Sequence, residues 1–343
     1  MEHEILLDVR HLTHIFPLSR KTAVKAVDDV SFQIRRGEIF GLVGESGSGK
    51  SVTIKAILGI LAKNGHIDSG SILYQGEDMA KYKEKDFYKI RGKRISLVFQ
   101  DPLSALNPIM KIGKQISEAL ILSGSIEKSK AKQRAIELME AVGIPNAAER
   151  YEAYPFQFSG GMRQRIVIAI ALACNPEILI CDEPTTALDV TIQARILELI
   201  NDMKREHDLS VIFITHDLGV VANIADRVCV MYAGRIVEVG TCEDIFYHPA
   251  HPYTWALLSA MPDLHTEETL YAIPGAPPNM LHPPKGDAFA ARNKYAMKID
   301  FEKEPPYFKI SDTHYAATWL LHPLAPKIER PVNVGRKKVN INE

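Results

Sequence analysis

The chain has 343 residues, of which 46% are apolar and 24% charged, the composition of a globular protein with room for about two domains. Lys and Arg number 41 against 42 Asp and Glu, a formal charge of -1, which argues against a sequence-wide nucleic-acid surface. The four cysteines (Cys174, Cys181, Cys229 and Cys242) show no C-x-x-C spacing and read as free thiols, not as a disulfide framework.

The start, MEHEILLDVR, has no basic segment followed by an apolar run, so no secretory signal is expected. The first predicted strands are Val30–Ile34 and Ile39–Val43, continuously apolar and partly β-branched, as strands buried on both faces should be. Gly44-Glu45-Ser46-Gly47-Ser48-Gly49-Lys50-Ser51 follows the second strand and opens the helical run SVTIKAILGIL. This is G-x-x-x-x-G-K-[ST] in its required strand–turn–helix setting. Its glycines let backbone N–H groups wrap a phosphate, and the helix start adds partial positive charge. Lys50 is then expected on the β- and γ-phosphates and Ser51 on Mg²⁺.

A strand is predicted over Ile95–Phe99. From Asp101 to Leu172 strand signal is scarce, and residues 101–172 read as a helical insertion in an α/β core. Within it a helix is predicted over Ser125–Val142, with Ile126, Ala135, Met139 and Val142 near one face. Phe158-Ser159-Gly160-Gly161-Met162-Arg163-Gln164-Arg165 provides a second helix start able to bind phosphate. The longest apolar run, Ile166–Cys174, has 9 residues. A bilayer needs about 20, so the chain is expected not to span one. Three more strands are predicted, Ile178–Asp182, Val211–Thr215 and Val228–Met231. The first ends in Asp182-Glu183, beyond the C-terminal end of a strand, where open α/β sheets bind ligands. Behind a phosphate loop, Asp182 suits Mg²⁺ and Glu183 suits a water poised for attack on phosphorus.

Of 20 prolines, 7 precede residue 245 and 13 follow it, whereas all four cysteines precede it. Residues 1–245 therefore read as the α/β domain and 246–343 as a loop-rich extension. The basic tail from Lys327 (Arg330, Arg336, Lys337, Lys338) reads as solvated.

LVFQD, then SGGMRQR, then ILICDEPTTALD resembles an ATP-binding cassette (ABC) ATPase over residues 5 to about 245. The fold this implies is a P-loop NTPase of ABC type: α/β, a mixed-sheet core plus a helical subdomain. Residue by residue, the resemblance makes Phe16 the aromatic that stacks on adenine and Gly44, Ser46, Gly47, Ser48, Gly49, Lys50 and Ser51 the Walker A cradle. Gln100 becomes the Q-loop sensor of Mg²⁺ and γ-phosphate, and Ser159, Gly160, Gly161 and Gln164 the signature loop. Asp182 and Glu183 match Walker B, Asp189 the D-loop and His216 the switch histidine. Each has a plainer reading: a core aromatic for Phe16, polar strand ends for Gln100 and His216, a helix N-cap for Asp189. The signature loop of such proteins closes over ATP held by the opposite subunit. One Walker A and one signature thus imply a second cassette, identical or related, with ATP between them.

His248-Pro249-Ala250-His251-Pro252-Tyr253-Thr254, then IPGAPPNMLHPPKG, is similar to the C-terminal region of oligopeptide/dipeptide permease ATPases. The resemblance implies ATP hydrolysis that drives import of oligopeptides, with dipeptides or nickel as alternatives. It also implies two membrane permeases, a second ATPase subunit, an extracytoplasmic peptide-binding protein, and a peripheral position on the cytoplasmic face of the membrane. No nucleic-acid partner is expected. A soluble ABC ATPase of DNA repair or translation is the alternative, but those carry two cassettes or long insertions. A catalytically silent subunit would fit only if Glu183 or His216 were replaced.

Many relatives carry four cysteines in this extension that hold an iron–sulfur cluster. The corresponding positions here are Asp287, Asn293, Asp300 and Thr318, none of them a thiol, so no cluster is expected. Packing through Phe289, Tyr295, Tyr315 and Trp319 is expected instead. The purified protein should be colourless; a broad visible charge-transfer band that disappears with dithionite would refute this.

Overall fold

The computed structural model describes residues 4–19, 22–124, 126–185, 190–261, 273–329 and 331. Strands β1 (Ile5–Pro17) and β2 (Ala23–Arg35) form a long antiparallel ribbon, and β3 (Ile39–Val43) leads into helix α1 (Lys50–Ile57). After β4 (His66–Tyr74), β5 (Glu77–Asp78) and the short α2 (Glu84–Phe87) comes β6 (Ile95–Val98). A helical stretch follows: α3 (Pro102–Ala105), α4 (Ile112–Ser123), α5 (Ala131–Ala141), α6 (Ala147–Arg150) and α7 (Gly160–Leu172). Then come β7 (Ile178–Asp182), α8 (Val190–His207), β8 (Ser210–Thr215), α9 (Leu218–Ile224), β9 (Arg227–Tyr232) and β10 (Arg235–Thr241). The C-terminal part holds α10 (Cys242–Tyr247), α11 (Pro252–Ser259), α12 (Lys298–Glu302), β11 (Phe308–Lys309) and β12 (Tyr315–Ala316).

Two sheets result. The smaller is antiparallel in the order β2-β1-β4-β5, and the larger runs β11-β12-β10-β9-β3-β8-β7-β6. In the larger, β9, β3, β8, β7 and β6 are parallel, and β10 and β12 add antiparallel strands. The parallel strands are covered on both faces, and the side-chain period of two shows how. Along β7, Leu179 and Cys181 face the cluster formed with α4, α5, α7 and α8, whereas Ile178 and Ile180 face the cluster formed with α1 and the small sheet. β8 alternates in the same way: Val211 and Phe213 on the first face, Ile212 and Ile214 on the second. The nine-residue apolar run proves to be mostly α7. Its residues Ile166, Ile168 and Ala169 are fully buried, as a helix apolar all round must be. Among the described residues no helix is long and apolar enough to cross a membrane.

Three expectations are corrected. The helix expected over Ser125–Val142 begins only at Ala131. Gly124, in the left-handed region, ends α4, the chain then turns through 128–130, and Ile126 packs from the connection. The strand expected to Phe99 stops at Val98, and Phe99 is exposed. In the extension only Phe289 of the four expected core aromatics is fully buried. Tyr295 packs edge-on against Trp255, and Trp319 lies half-buried with its indole N–H on the Lys303 carbonyl. The third core cluster joins Phe289 to Val43, Tyr232, Phe246 and Tyr253, so extension and cassette share it. Asp189 and the basic tail residues Arg330, Arg336, Lys337 and Lys338 lie outside the described residues.

Candidate active site

The register of four adjacent parallel strands puts their C-terminal ends in one row. Val43 pairs with Thr215, Asp182 with Ile214 and Val98 with Cys181. The residues that leave those ends are Gly44, His216, Glu183 and, two beyond Val98, Gln100. Strand pairing alone gathers sequence positions from 44 to 216 at one end of the sheet.

The loop from Gly44 to Ser51 curls into the N-terminus of α1, whose N-cap Gly49 has φ +102°. A Cβ at Gly44 would lie 2.2 Å from the Met231 carbonyl, and one at Gly49 would lie 2.6 Å from the Ala26 carbonyl, so both positions require glycine. Lys50 is buried, its Nζ donating to the carbonyls of Gly44 (2.7 Å) and Glu45 (3.0 Å) and to Ser48 Oγ (3.3 Å). Burial lowers the Lys50 pKa, opposed by the carboxylates of Glu183, Asp182 and Glu45. The ammonium occupies the centre of its own loop.

Across from it, Ser51 Oγ donates to Asp182 Oδ1 at 3.1 Å. Burial raises the Asp182 carboxyl, the Ser51 bond opposes that, and Glu183 adds to it. Glu183 links two elements: Gln100 Nε2 donates to its Oε2 at 3.0 Å, and His216 Nδ1 lies 3.3 Å from its Oε1. Its backbone has φ +48°, a conformation a branched or long side chain rarely adopts, held by its N–H on the Ile214 carbonyl. The hydroxyl of Ser51, the carboxylate of Asp182 and the amide of Gln100 offer hard oxygens, the donor set that suits Mg²⁺.

The remaining expected residues lie apart from this group. Phe16 sits half-buried on β1, edge-on to His14 with ring centroids 4.7 Å apart. Ser159 caps α7 through the Met162 N–H, and its hydrogen bonds stay within its own helix. Ser159 and Gly160 are exposed, as a loop offered to another molecule should be. Gln164 is instead 2% exposed and turned into the protein, so it drops out of the exposed set. The sequence reading missed Glu45 itself, whose side chain and backbone N–H are both held by the extension, through Arg292 and Tyr253. Tyr253 lay inside a motif already singled out; Arg292 carries no local signal.

The chain has known relatives and its fold has known counterparts. The family model described as ABC transporter matches residues 27–186, and that described as Oligopeptide/dipeptide transporter, C-terminal region, matches 237–299. The oligopeptide transport ATP-binding protein OppD of Bacillus subtilis (strain 168) is 57% identical over 338 residues, covering 97% of this chain and 93% of that protein. The dipeptide transport ATP-binding protein DppD of Lactococcus lactis subsp. cremoris (strain MG1363) is 54% identical over 336 residues, covering 97% and 96%. Among solved structures, the dimeric post-hydrolysis ATP-binding cassette MJ0796 bound to ADP and Pi superimposes with a TM-score of 0.62 at 26% identity. It covers 69% of this chain and 98% of that one.

The four cluster positions do not fit iron and sulfide. Asp287, Asn293, Asp300 and Thr318 are all at least nine-tenths buried, but they present oxygen and amide groups where thiolates are needed. Among the described residues, Asp287 Oδ2, Asn293 Nδ2 and Asp300 Oδ1 find no hydrogen-bond partner. Among the described residues no group of three His, Cys, Asp or Glu side chains could hold a metal ion. Burial pushes the Asp287 carboxyl up to about 6, opposed by the Phe289 N–H and reinforced by Asp300. A raised carboxyl leaves stability intact below its unfolded pKa and removes it as pH climbs through the folded value. Asp287→Asn should therefore raise Tm by about 3–6 °C near pH 7.5 and lose that gain near pH 4, as read by thermal melts. A gain independent of pH would contradict the assignment.

Proposed function

The chain belongs to the ATP-binding cassette (ABC) transporter family, in the branch with an oligopeptide/dipeptide-transporter C-terminal region, and from that premise we propose how its site works. It is an ATP-binding and ATP-hydrolysing subunit that powers the import of oligopeptides through a membrane ABC transporter. The observation that supports the catalytic assignment is Glu183 bridged to both Gln100 and His216, beside the Ser51–Asp182 pair, at one end of the parallel sheet.

ATP enters the cradle of Gly44, Ser46, Gly47, Ser48, Gly49, Lys50 and Ser51, its adenine stacked on Phe16. Lys50 exchanges its carbonyl partners for the β- and γ-phosphates. Ser51, Asp182 and Gln100 would hold Mg²⁺, which would supply charge neutralisation at the phosphates. Glu183 orients the attacking water and takes its proton, and His216 contacts the γ-phosphate. The hydrogen bonds of Glu183 to Gln100 and His216 keep its carboxylate facing the site; substrate replaces at least one of them. Asp189 acts from the D-loop.

Ser159, Gly160 and Gly161 close over nucleotide held by a second cassette, Ser159 and Gly160 exposed at the start of α7 and Gly161 buried behind them. The dimers solved for MJ0796 support this arrangement. Two membrane permeases and an extracytoplasmic peptide-binding protein complete the transporter, with this subunit on the cytoplasmic face. Phe99, Leu103, Ile109 and Phe156 are exposed apolar side chains beside Gln100 and on the helical insertion, and they form the docking surface for a permease. No nucleic acid takes part.

Glu183→Gln should slow hydrolysis by about a hundredfold or more while ATP stays bound, so gel filtration with ATP should show a dimer-sized species. A monomer that turns over ATP at the parental rate would contradict the role of Glu183. In cells lacking the subunit, uptake of labelled oligopeptides should be lost and restored by the wild-type chain but not by Glu183→Gln. Loss of nickel uptake with peptide uptake intact would redirect the substrate.

A further inference from the structure

The phosphate cradle is held from outside the cassette. Glu45, its second residue, donates its backbone N–H to Tyr253 Oη at 2.8 Å. Its carboxylate takes two bonds from the Arg292 guanidinium, Nη1 to Oε2 at 2.6 Å and Nη2 to Oε1 at 3.0 Å. Its carbonyl accepts from Lys50. Backbone, side chain and carbonyl of one loop residue are thus each fixed, two of them by the C-terminal extension.

The holding groups are themselves rigid. Arg292 is buried, with Nε donating to the Pro274 carbonyl at 2.8 Å and Nη1 to Tyr232 Oη at 3.2 Å. Its guanidinium lies 5.8 Å from the Tyr232 ring centroid and 5.9 Å from that of Phe289. Tyr232, Tyr253 and Phe289 pack on one another with centroids 4.6 to 5.3 Å apart. The bidentate Arg–carboxylate fork fixes direction as well as distance. Glu45 also brings a negative charge to a loop built to receive a triphosphate, and Arg292 offsets it at the point of contact.

We propose that Arg292 and Tyr253 are positioning residues for nucleotide: the extension sets the leading end of the phosphate loop and cancels the charge of Glu45, so ATP affinity depends on the extension's packing. This rests on the ABC ATPase reading of the cradle. A purely structural pair would alter melting temperature and nothing else. A positioning pair alters the KM for ATP and leaves kcat nearly untouched, because neither residue reaches the reacting phosphorus.

The experiment uses the full chain, a non-hydrolysable fluorescent ATP analogue, steady-state ATPase assays and thermal melts. Arg292→Ala should raise Kd for the analogue and KM for ATP about tenfold, with kcat within about twofold. Adding Glu45→Gln to it removes the uncovered charge and should recover most of the lost affinity. Tyr253→Phe, which deletes only the acceptor for the Glu45 N–H, should weaken binding about threefold. Wild-type affinity in a folded Arg292→Ala protein overturns the proposal, as does a double variant no better than the single one. If Arg292→Ala does not fold, Arg292→Lys carries the test: it keeps the charge and loses the fork, so affinity should fall measurably, and unchanged affinity overturns the proposal. Wild-type protein and Lys50→Ala serve as controls. A wild-type chain that binds no analogue defeats the ABC reading itself, whereas normal wild-type binding with unchanged variants defeats only the extension's part.

Discussion

The parallel register of β3, β8, β7 and β6 is the constraint on which the site depends. Each strand delivers its functional residue one or two positions past its last paired rung, so a slip of one rung would turn every side chain to the other face of the sheet. That slip is prevented by burial on both sides. Leu179 and Phe213 cannot exchange places with Ile178 and Ile212 without emptying one core and crowding the other. Placing Ser51, Gln100, Asp182, Glu183 and His216 is therefore a result of hydrophobic packing, and the polar contacts among them are local adjustments to it.

Charge balance at that end of the sheet explains where Lys50 and Asp182 sit. Lys50 is drawn into its own loop, where the carbonyls of Gly44 and Glu45, the Ser48 hydroxyl and three nearby carboxylates compensate a buried ammonium. Asp182 is correspondingly raised by burial and by Glu183. Glu183, held at positive φ by its N–H on the Ile214 carbonyl, is aimed by its backbone.

What could be read in advance follows the range of the interactions. β3, β7 and β8 were legible because strands buried on both faces are apolar without interruption, and the phosphate loop because its glycines sit at fixed offsets before Lys50. β1 and β4 were not, since the register shifts in their pairing between Val9 and His14 break the alternation that marks a half-buried strand. The helix expected from Ser125 failed at its start, where the turns after Gly124 outweigh the apolar spacing of Ile126. The grip of Arg292 on Glu45 spans 247 positions, and neither residue type announces its partner. The aromatic seat beneath it was half visible: Phe289 was expected in a core, but its neighbours Tyr232 and Tyr253 come from the cassette and from the start of the extension.

The last strands of the chain bear on how it behaves in a crowded solution. β10 presents seven residues of ladder, and without a neighbour its free N–H and C=O groups would invite pairing with any extended chain. β12 covers Glu238 and Val239, and β11 closes the ladder after two residues, with Lys309 as a charged sentinel on the final rung. The returning polypeptide thus acts as a cap against self-association, and a chain cut short before Phe308 would trade that protection for a sticky flank.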